Sequence, residues 1–230
     1  MNVVIAGGSG GIGSAMVETL AGRAGVEHVI ATWNRHAPAM RYPNVTWQQL
    51  DLADEDAVHA WAEQIGDIDW LINTAGMLHN SSQGPEKTIR QIDPAFFLEN
   101  MSTNALPTLL LAKHLHASFR HGRPAVFATV SAKVGSIEDN RLGGWCSYRA
   151  SKAALNMCLK TLSIEWQRTL PNVAIVALHP GTTYRPVETL PEERPAGPTV
   201  CAGQDRRLPA GCAGCAGRAD AGAIRAIPGL

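Results

Sequence analysis

Short β-branched runs alternate along this chain with longer stretches in which apolar residues recur every three or four positions. "NVVIAGG", from Asn2, is a continuous apolar run ending in glycines, which predicts a strand buried on both faces. "GIGSAMVETLAGRA", from Gly11, carries the helical period. The same reading predicts strands in "VEHVIATWNR" from Val26, "NVTWQQLDL" from Asn44, "IDWLINTAG" from Ile68, "RPAVFATVS" from Arg123 and "NVAIVALHPG" from Asn172. It predicts helices in "DEDAVHAWAEQI" from Asp54, "NALPTLLLAKHLHASF" from Asn104 and "SYRASKAALNMCLKTLSIEWQRT" from Ser147. Strands separated by helices imply parallel pairing through right-handed crossovers. The expected class is α/β, a Rossmann-type doubly wound parallel sheet, forming one domain over residues 1–183.

After Thr183 the pattern stops. Residues 184–230 are rich in Ala, Gly and Pro and show neither period, so an irregular, poorly packed tail is expected. A shift of reading frame near Tyr184 accounts for this change. Read one nucleotide later, the back-translated tail permits an amphipathic helix and a closing strand. Without them the sheet lacks its last strand and the lid over a substrate.

Composition narrows the class. The 45% hydrophobic and 17% charged content suits a full core, and a formal net charge of zero offers no basic face for nucleic acid. No segment has the length and hydropathy of a bilayer span, and the N-terminus lacks the basic start of a signal peptide. Five scattered cysteines suggest reduced thiols and a cytoplasmic setting. Cys212 and Cys215 form a lone C-x-x-C with no second ligand pair, too little for structural zinc, and no metal is expected. Cys146 and Cys158 are read as packing residues, and His114 and His116 as solvated positions on an exposed helix.

Two features carry chemistry. The first is "AGGSGGIG", Ala6 to Gly13, between the first strand and the first helix. Gly7, Gly10, Gly11 and Gly13 let the turn tighten and let backbone approach a pyrophosphate, which the helix N-terminus attracts. The second strand ends without a carboxylate for a ribose 2′-OH. Arg35, with Asn34 or His36, instead suits a 2′-phosphate, favouring NADP(H) over NAD(H). Asp51 closes the third strand, where it either accepts from an adenine amino group or caps the next turn. The second feature is Tyr148 and Lys152, four residues apart and hence on one helical face. An ammonium beside a phenol lowers its pKa and readies it to exchange a proton with a carbonyl or alcohol. Trp145 is placed to line a substrate pocket.

With these motifs, "LDL", "NTAG" at Asn73 to Gly76, "TNA" at Thr103 to Ala105, "SYRASKAALN" and "HPGTT", the chain resembles the short-chain dehydrogenase/reductase family over residues 1–183. Within it, the chain is similar to the branch of C-factor and the sniffer-type carbonyl reductases. The resemblance implies a reductase or dehydrogenase acting on a small carbonyl or alcohol substrate, with Tyr148 as acid/base and Lys152 as its partner. It implies that Asn104 holds a relay water. It extends the cofactor contacts to Ser9, Ile12, Leu52, Asn73, Ala75, Gly76, Pro180, Gly181 and Thr182. It also implies a homodimer or homotetramer joined through the region that the tail replaces.

Three positions depart from the family pattern. Ala6 replaces a threonine that braces the glycine turn, and Thr74 replaces an asparagine. Ala132 stands where the catalytic serine belongs, so the serine role passes to Ser131, provided a bulge or bend turns it toward substrate, or else to Ser136. This displacement keeps a second function in view, a dinucleotide-binding signalling or regulatory protein with little turnover.

Overall fold

The computed structural model describes residues 1–181 and the backbone of Arg225–Ala226. Six parallel strands form the sheet: β1 (Asn2–Ala6), β2 (His28–Trp33), β3 (Val45–Gln49), β4 (Trp70–Asn73), β5 (Ala125–Val130) and β6 (Val173–His179). A two-residue β7 (Arg225–Ala226) adds antiparallel to β6, giving the order β3-β2-β1-β4-β5-β6-β7. The fold is Rossmann-like. Strand β1 lies inside the sheet, with Val3 opposite Val29 of β2 on one side and Trp70 of β4 on the other.

Alternation along β1 feeds two cores. Val3 and Ile5 pack with Val17 and Leu20 of α1 (Gly11–Ala21) on one face. Val4 and Ala6 join the larger cluster on the other face, with α2 (Glu55–Ala62), α4 (Leu106–His114) and α5 (Cys146–Thr169). Phe119, Phe127 and Trp166 meet at its centre, their ring centroids 5.4–6.2 Å apart. These contacts fix α5 against the sheet, and with it the Tyr148–Lys152 face.

Helix α3 (Pro94–Asn104) was not among the expected elements, although its start signal is in the sequence. Asp93 caps it by accepting from the Phe96 N–H at 2.8 Å, and Pro94 occupies the first turn, where its missing N–H costs nothing. The single helix expected from Asn104 to Phe119 is instead broken. Pro107 cannot donate back into a continuing helix, so α3 ends at Asn104 and α4 starts at Leu106.

His114 and His116 are also less exposed than expected. His114 is half-buried and lies 3.3 Å from the Glu55 carboxylate. His116 stacks edge-on to Trp166, and burial lowers its pKa. The tail reading lies outside the described residues except at β7. There Arg225–Ala226 pairs with His179 and Leu178, so the edge of β6 is covered at its C-terminal end rather than wholly bare. Among the described residues no helix is long and apolar enough to cross a membrane.

Candidate active site

The glycine turn is built so that side chains do not fit. Gly7 has φ +77°, and a Cβ there would lie 2.8 Å from the Ala75 nitrogen. A Cβ on Gly13 would fall on the Gly7 carbonyl oxygen. Two threonines brace the turn in place of the one absent at Ala6. The Gly7 N–H donates to Thr32 Oγ1 at 3.0 Å, and Thr74 Oγ1 lies 2.9 Å from the Ala6 oxygen and 3.0 Å from that of Gly7. The change at Thr74 therefore supplies part of what Ala6 removes. No side chain caps Gly10, and the first turn of α1 carries no acid, which leaves its positive end open to an anion near Ser9, Gly11 and Ile12. These residues fit a dinucleotide pyrophosphate.

Beyond β2, Asn34, Arg35 and His36 are exposed, and Arg35 joins no ion pair among the described residues. Asp51 accepts from the Ala53 N–H at 3.0 Å, so its carboxylate caps the following turn. Leu52 is buried in the core, leaving only its backbone for a ligand. The Asn73 side chain is likewise enclosed. It donates to Thr108 Oγ1 and accepts from the Ala75 N–H, holding the strand end rather than lining the cleft.

Gly76, Asn104 and Lys152 converge. A Cβ on Gly76 would stand 3.2 Å from Asn104 Oδ1 and 3.3 Å from Lys152 Nζ. Asn104 lies at the α3–α4 break with its amide fully engaged. Oδ1 accepts from the Met77 N–H at 2.7 Å, and Nδ2 donates to the Met77 carbonyl and to Ser151 Oγ, both at 2.9 Å. Its side chain thus ties α3, the loop at Met77 and α5 together.

Lys152 is 3% exposed and donates to the Val130 carbonyl at 3.0 Å. Burial lowers its pKa to about 8, and burial raises that of Tyr148. Lys152 Nζ sits 5.8 Å from the Tyr148 ring centroid, on the same helical face. Burial thus acts on the phenol in the direction opposite to the lowering expected from the ammonium.

Ser131 directly follows β5. No bulge interrupts the strand end: the Ser131 N–H continues the β5–β6 ladder by donating to the Leu178 carbonyl at 2.8 Å. Its hydroxyl, 2% exposed, donates to Asn156 Oδ1 at 2.6 Å. Ser136 lines a cavity of about 390 Å³ together with Cys146, Arg149, Ala150 and Ala153 of α5. At 100° per residue that stripe lies roughly 130° round the helix from Tyr148 and Lys152. Neither serine makes a hydrogen bond to Tyr148.

Trp145 precedes α5 with φ 54°, and its ring is 6.5 Å from that of Tyr148, edge to face. Cys146 and Cys158 are half-buried free thiols. Pro180 and Gly181, at φ +76°, follow β6 at the same sheet end as the glycine turn. Thr182, Cys212 and Cys215 lie outside the described residues. Among the described residues no cluster of His, Cys, Asp or Glu is able to hold a metal.

Two contributors escaped the sequence reading. Thr32 has no motif around it. Glu86, 2% exposed, reaches the start of α5 from a loop 61 residues earlier, accepting from Ser147 N at 3.3 Å and from the Ser147 hydroxyl.

The sequence profile of the family described as short chain dehydrogenase matches residues 1–194. C-signal of Myxococcus xanthus is 33% identical over 116 residues, 50% of this chain and 66% of that protein. The chain thus spans a little under two thirds of that relative's length. The NADPH-bound carbonyl reductase from chicken fatty liver superposes with a TM-score of 0.68 at 25% identity, over 80% of each chain. Carbonyl reductase Sniffer of D. melanogaster gives 0.68 at 25% identity, over 78% of this chain and 80% of that one. By its sheet order, its glycine turn and these matches, the chain belongs to the short-chain dehydrogenase family, on the branch of C-signal and the sniffer-type carbonyl reductases.

Proposed function

We propose that the chain uses NADP(H) to interconvert a small carbonyl compound and its alcohol, with Tyr148 as the acid/base. The observation that carries this reading is the convergence of Lys152, Asn104 and Gly76 beside Tyr148, at the sheet end that also holds the glycine turn. When bound, the nicotinamide supplies or accepts the hydride at the substrate carbon. Backbone N–H groups of Gly11 and Ile12 at the start of α1 hold the pyrophosphate. Arg35 pairs with the 2′-phosphate. The Tyr148 hydroxyl gives its proton to the carbonyl oxygen as the alcohol forms, or takes the alcohol proton in reverse. Lys152, when protonated, stabilises the phenolate left behind. Burial of Tyr148 supports a phenol that remains a proton donor at neutral pH.

The test is NADPH oxidation at 340 nm against a panel of ketones and aldehydes, with NADH alongside. Turnover preferring NADPH, lost in Tyr148→Phe with NADPH binding retained, is the expected result. Turnover preserved in Tyr148→Phe would overturn the assignment. Engagement of Ser131 by Asn156, with Ala132 in the serine position, favours a second reading, a dinucleotide-binding protein with little turnover. That reading requires NADPH binding with no turnover in either form.

A further inference from the structure

We propose that Glu86 is a positioning residue, a clamp from a remote loop that fixes the first turn of α5 and so sets the place of Tyr148. This proposal rests on the reading of Tyr148 as acid/base.

The entry to α5 is strained. Gly143, Gly144 and Trp145 take φ values of 64°, 68° and 54°, three successive residues in the left-handed region. For glycine this conformation is free, but in tryptophan it crowds the Cβ against the following carbonyl oxygen. Strain of this kind persists only where the surroundings over-determine it. Trp145 is also the N-cap of α5, yet its side chain caps nothing. The helix therefore begins without a local partner for its first N–H groups.

Glu86 supplies that partner. Its carbonyl accepts from the Trp145 N–H at 2.5 Å, and its carboxylate accepts from the N–H and the hydroxyl of Ser147. A Cβ on Gly144 would lie 3.4 Å from the Glu86 carbonyl oxygen, so the strained turn also packs closely on the loop. From the other flank, Arg149 donates to the Gly144 carbonyl at 3.1 Å and to that of Val134 at 3.3 Å. Ser147 is wholly buried, and Tyr148 is its neighbour. Glu86 thus holds Trp145 and Ser147, three residues and one residue before the phenol, and Arg149, the residue after it, ties the helix to Gly144 and Val134. An amide fits the site as well: a glutamine oxygen accepts from the Ser147 N–H while its NH₂ donates to the Ser147 hydroxyl.

The test compares Glu86→Ala with Glu86→Gln in the full chain, with two readouts. The first is ¹⁹F NMR of protein labelled with fluorotyrosine. Only three tyrosines are present, and Tyr148→Phe assigns the resonance of interest. The alanine variant is expected to shift and broaden the Tyr148 signal, and the glutamine variant to keep it near its native position. An unmoved signal in folded Glu86→Ala would overturn the clamp. This readout stands whether or not the protein turns over, so it separates the clamp from the oxidoreductase reading. The second is steady-state kinetics on any carbonyl that the wild type reduces. Glu86→Ala should lower kcat on the order of ten- to a hundredfold with KM for NADPH unchanged, and Glu86→Gln should restore most of it. A displaced NMR signal with native kcat would show that Glu86 holds the helix without serving Tyr148, and the proposal would fail. Should Glu86→Ala prove insoluble, Glu86→Asp replaces it. One methylene shorter, it retracts the carboxylate from Ser147 and should give the same changes at smaller size, and native spectra and kcat in that variant would refute the clamp.

Discussion

Replacing Gly13 by alanine isolates the cofactor turn from everything else. An ideal Cβ at this position would fall on the Gly7 carbonyl oxygen, 2.7 Å from Thr74 Oγ1 and 2.8 Å from Gly8 Cα. Two of the three obstacles are backbone, so no rotamer change relieves the clash. Opening the turn also strains the bonds from Thr74 to the Ala6 and Gly7 carbonyls. Overpacking of this kind costs about 1–3 kcal/mol. In a chain of this size each kcal/mol lowers Tm by roughly 2–4 °C. If the loss falls on the binding geometry instead, each 1.4 kcal/mol weakens NADPH about tenfold. Gly11→Ala is the control, because a Cβ there meets nothing within 4 Å and alanine favours the helix. Thermal melts with and without excess NADPH, together with a fluorescence titration, read both effects. Gly13→Ala should lower Tm, weaken NADPH, or do both, whereas Gly11→Ala should hold or raise the Tm of the free protein. A Gly13→Ala protein with native Tm and native affinity would refute the steric account of the turn.

Two further outcomes follow from buried polar groups. The pKa of Lys152 is about 8 in the folded chain against an ordinary 10.5, so between those values the unfolded chain binds more protons. Stability then rises with pH across that window by at most about 1.4 kcal/mol per pH unit, and Lys152→Met should abolish this rise in denaturant melts between pH 8 and 10. Raised Tyr148 acts in the opposite sense only above its ordinary value of 10.0, which places it beyond that window. Ser131→Ala leaves the Asn156 oxygen without its donor and should cost about 1–3 kcal/mol in a denaturant melt while leaving kcat within about twofold. A large loss of kcat at native stability would return Ser131 to the chemistry.

The sequence made the centre of the sheet legible because burial on both faces writes β1, β4 and β5 as largely apolar runs, and the glycines mark the turn directly. Tyr148 and Lys152 were legible because their relation is local, four residues on one helix. What escaped was non-local or mutual. Thr32 braces Gly7 from a neighbouring strand, and Glu86 caps a helix from far along the chain. Ser131 has a partner that escaped for a related reason. Its place in the sequence fits a catalytic hydroxyl, but Asn156 across the sheet–helix interface claims that hydroxyl. The α3 start, by contrast, was written in Asp93–Pro94 and could have been read.

The central place of β1 has a consequence in time. Strand β1 is made before both of its neighbours, β2 and β4, and the last brace of its glycine turn is Thr74. Lys152 follows 78 residues later, which at 5–20 residues per second is roughly 4 to 16 s of synthesis. The glycine turn is then fully encoded, while Leu71 awaits Phe127, its partner on β5, for the first 53 of those residues. A nascent chain at this stage presents the apolar edge of β4 until β5 arrives, before the helix that carries Tyr148 and Lys152.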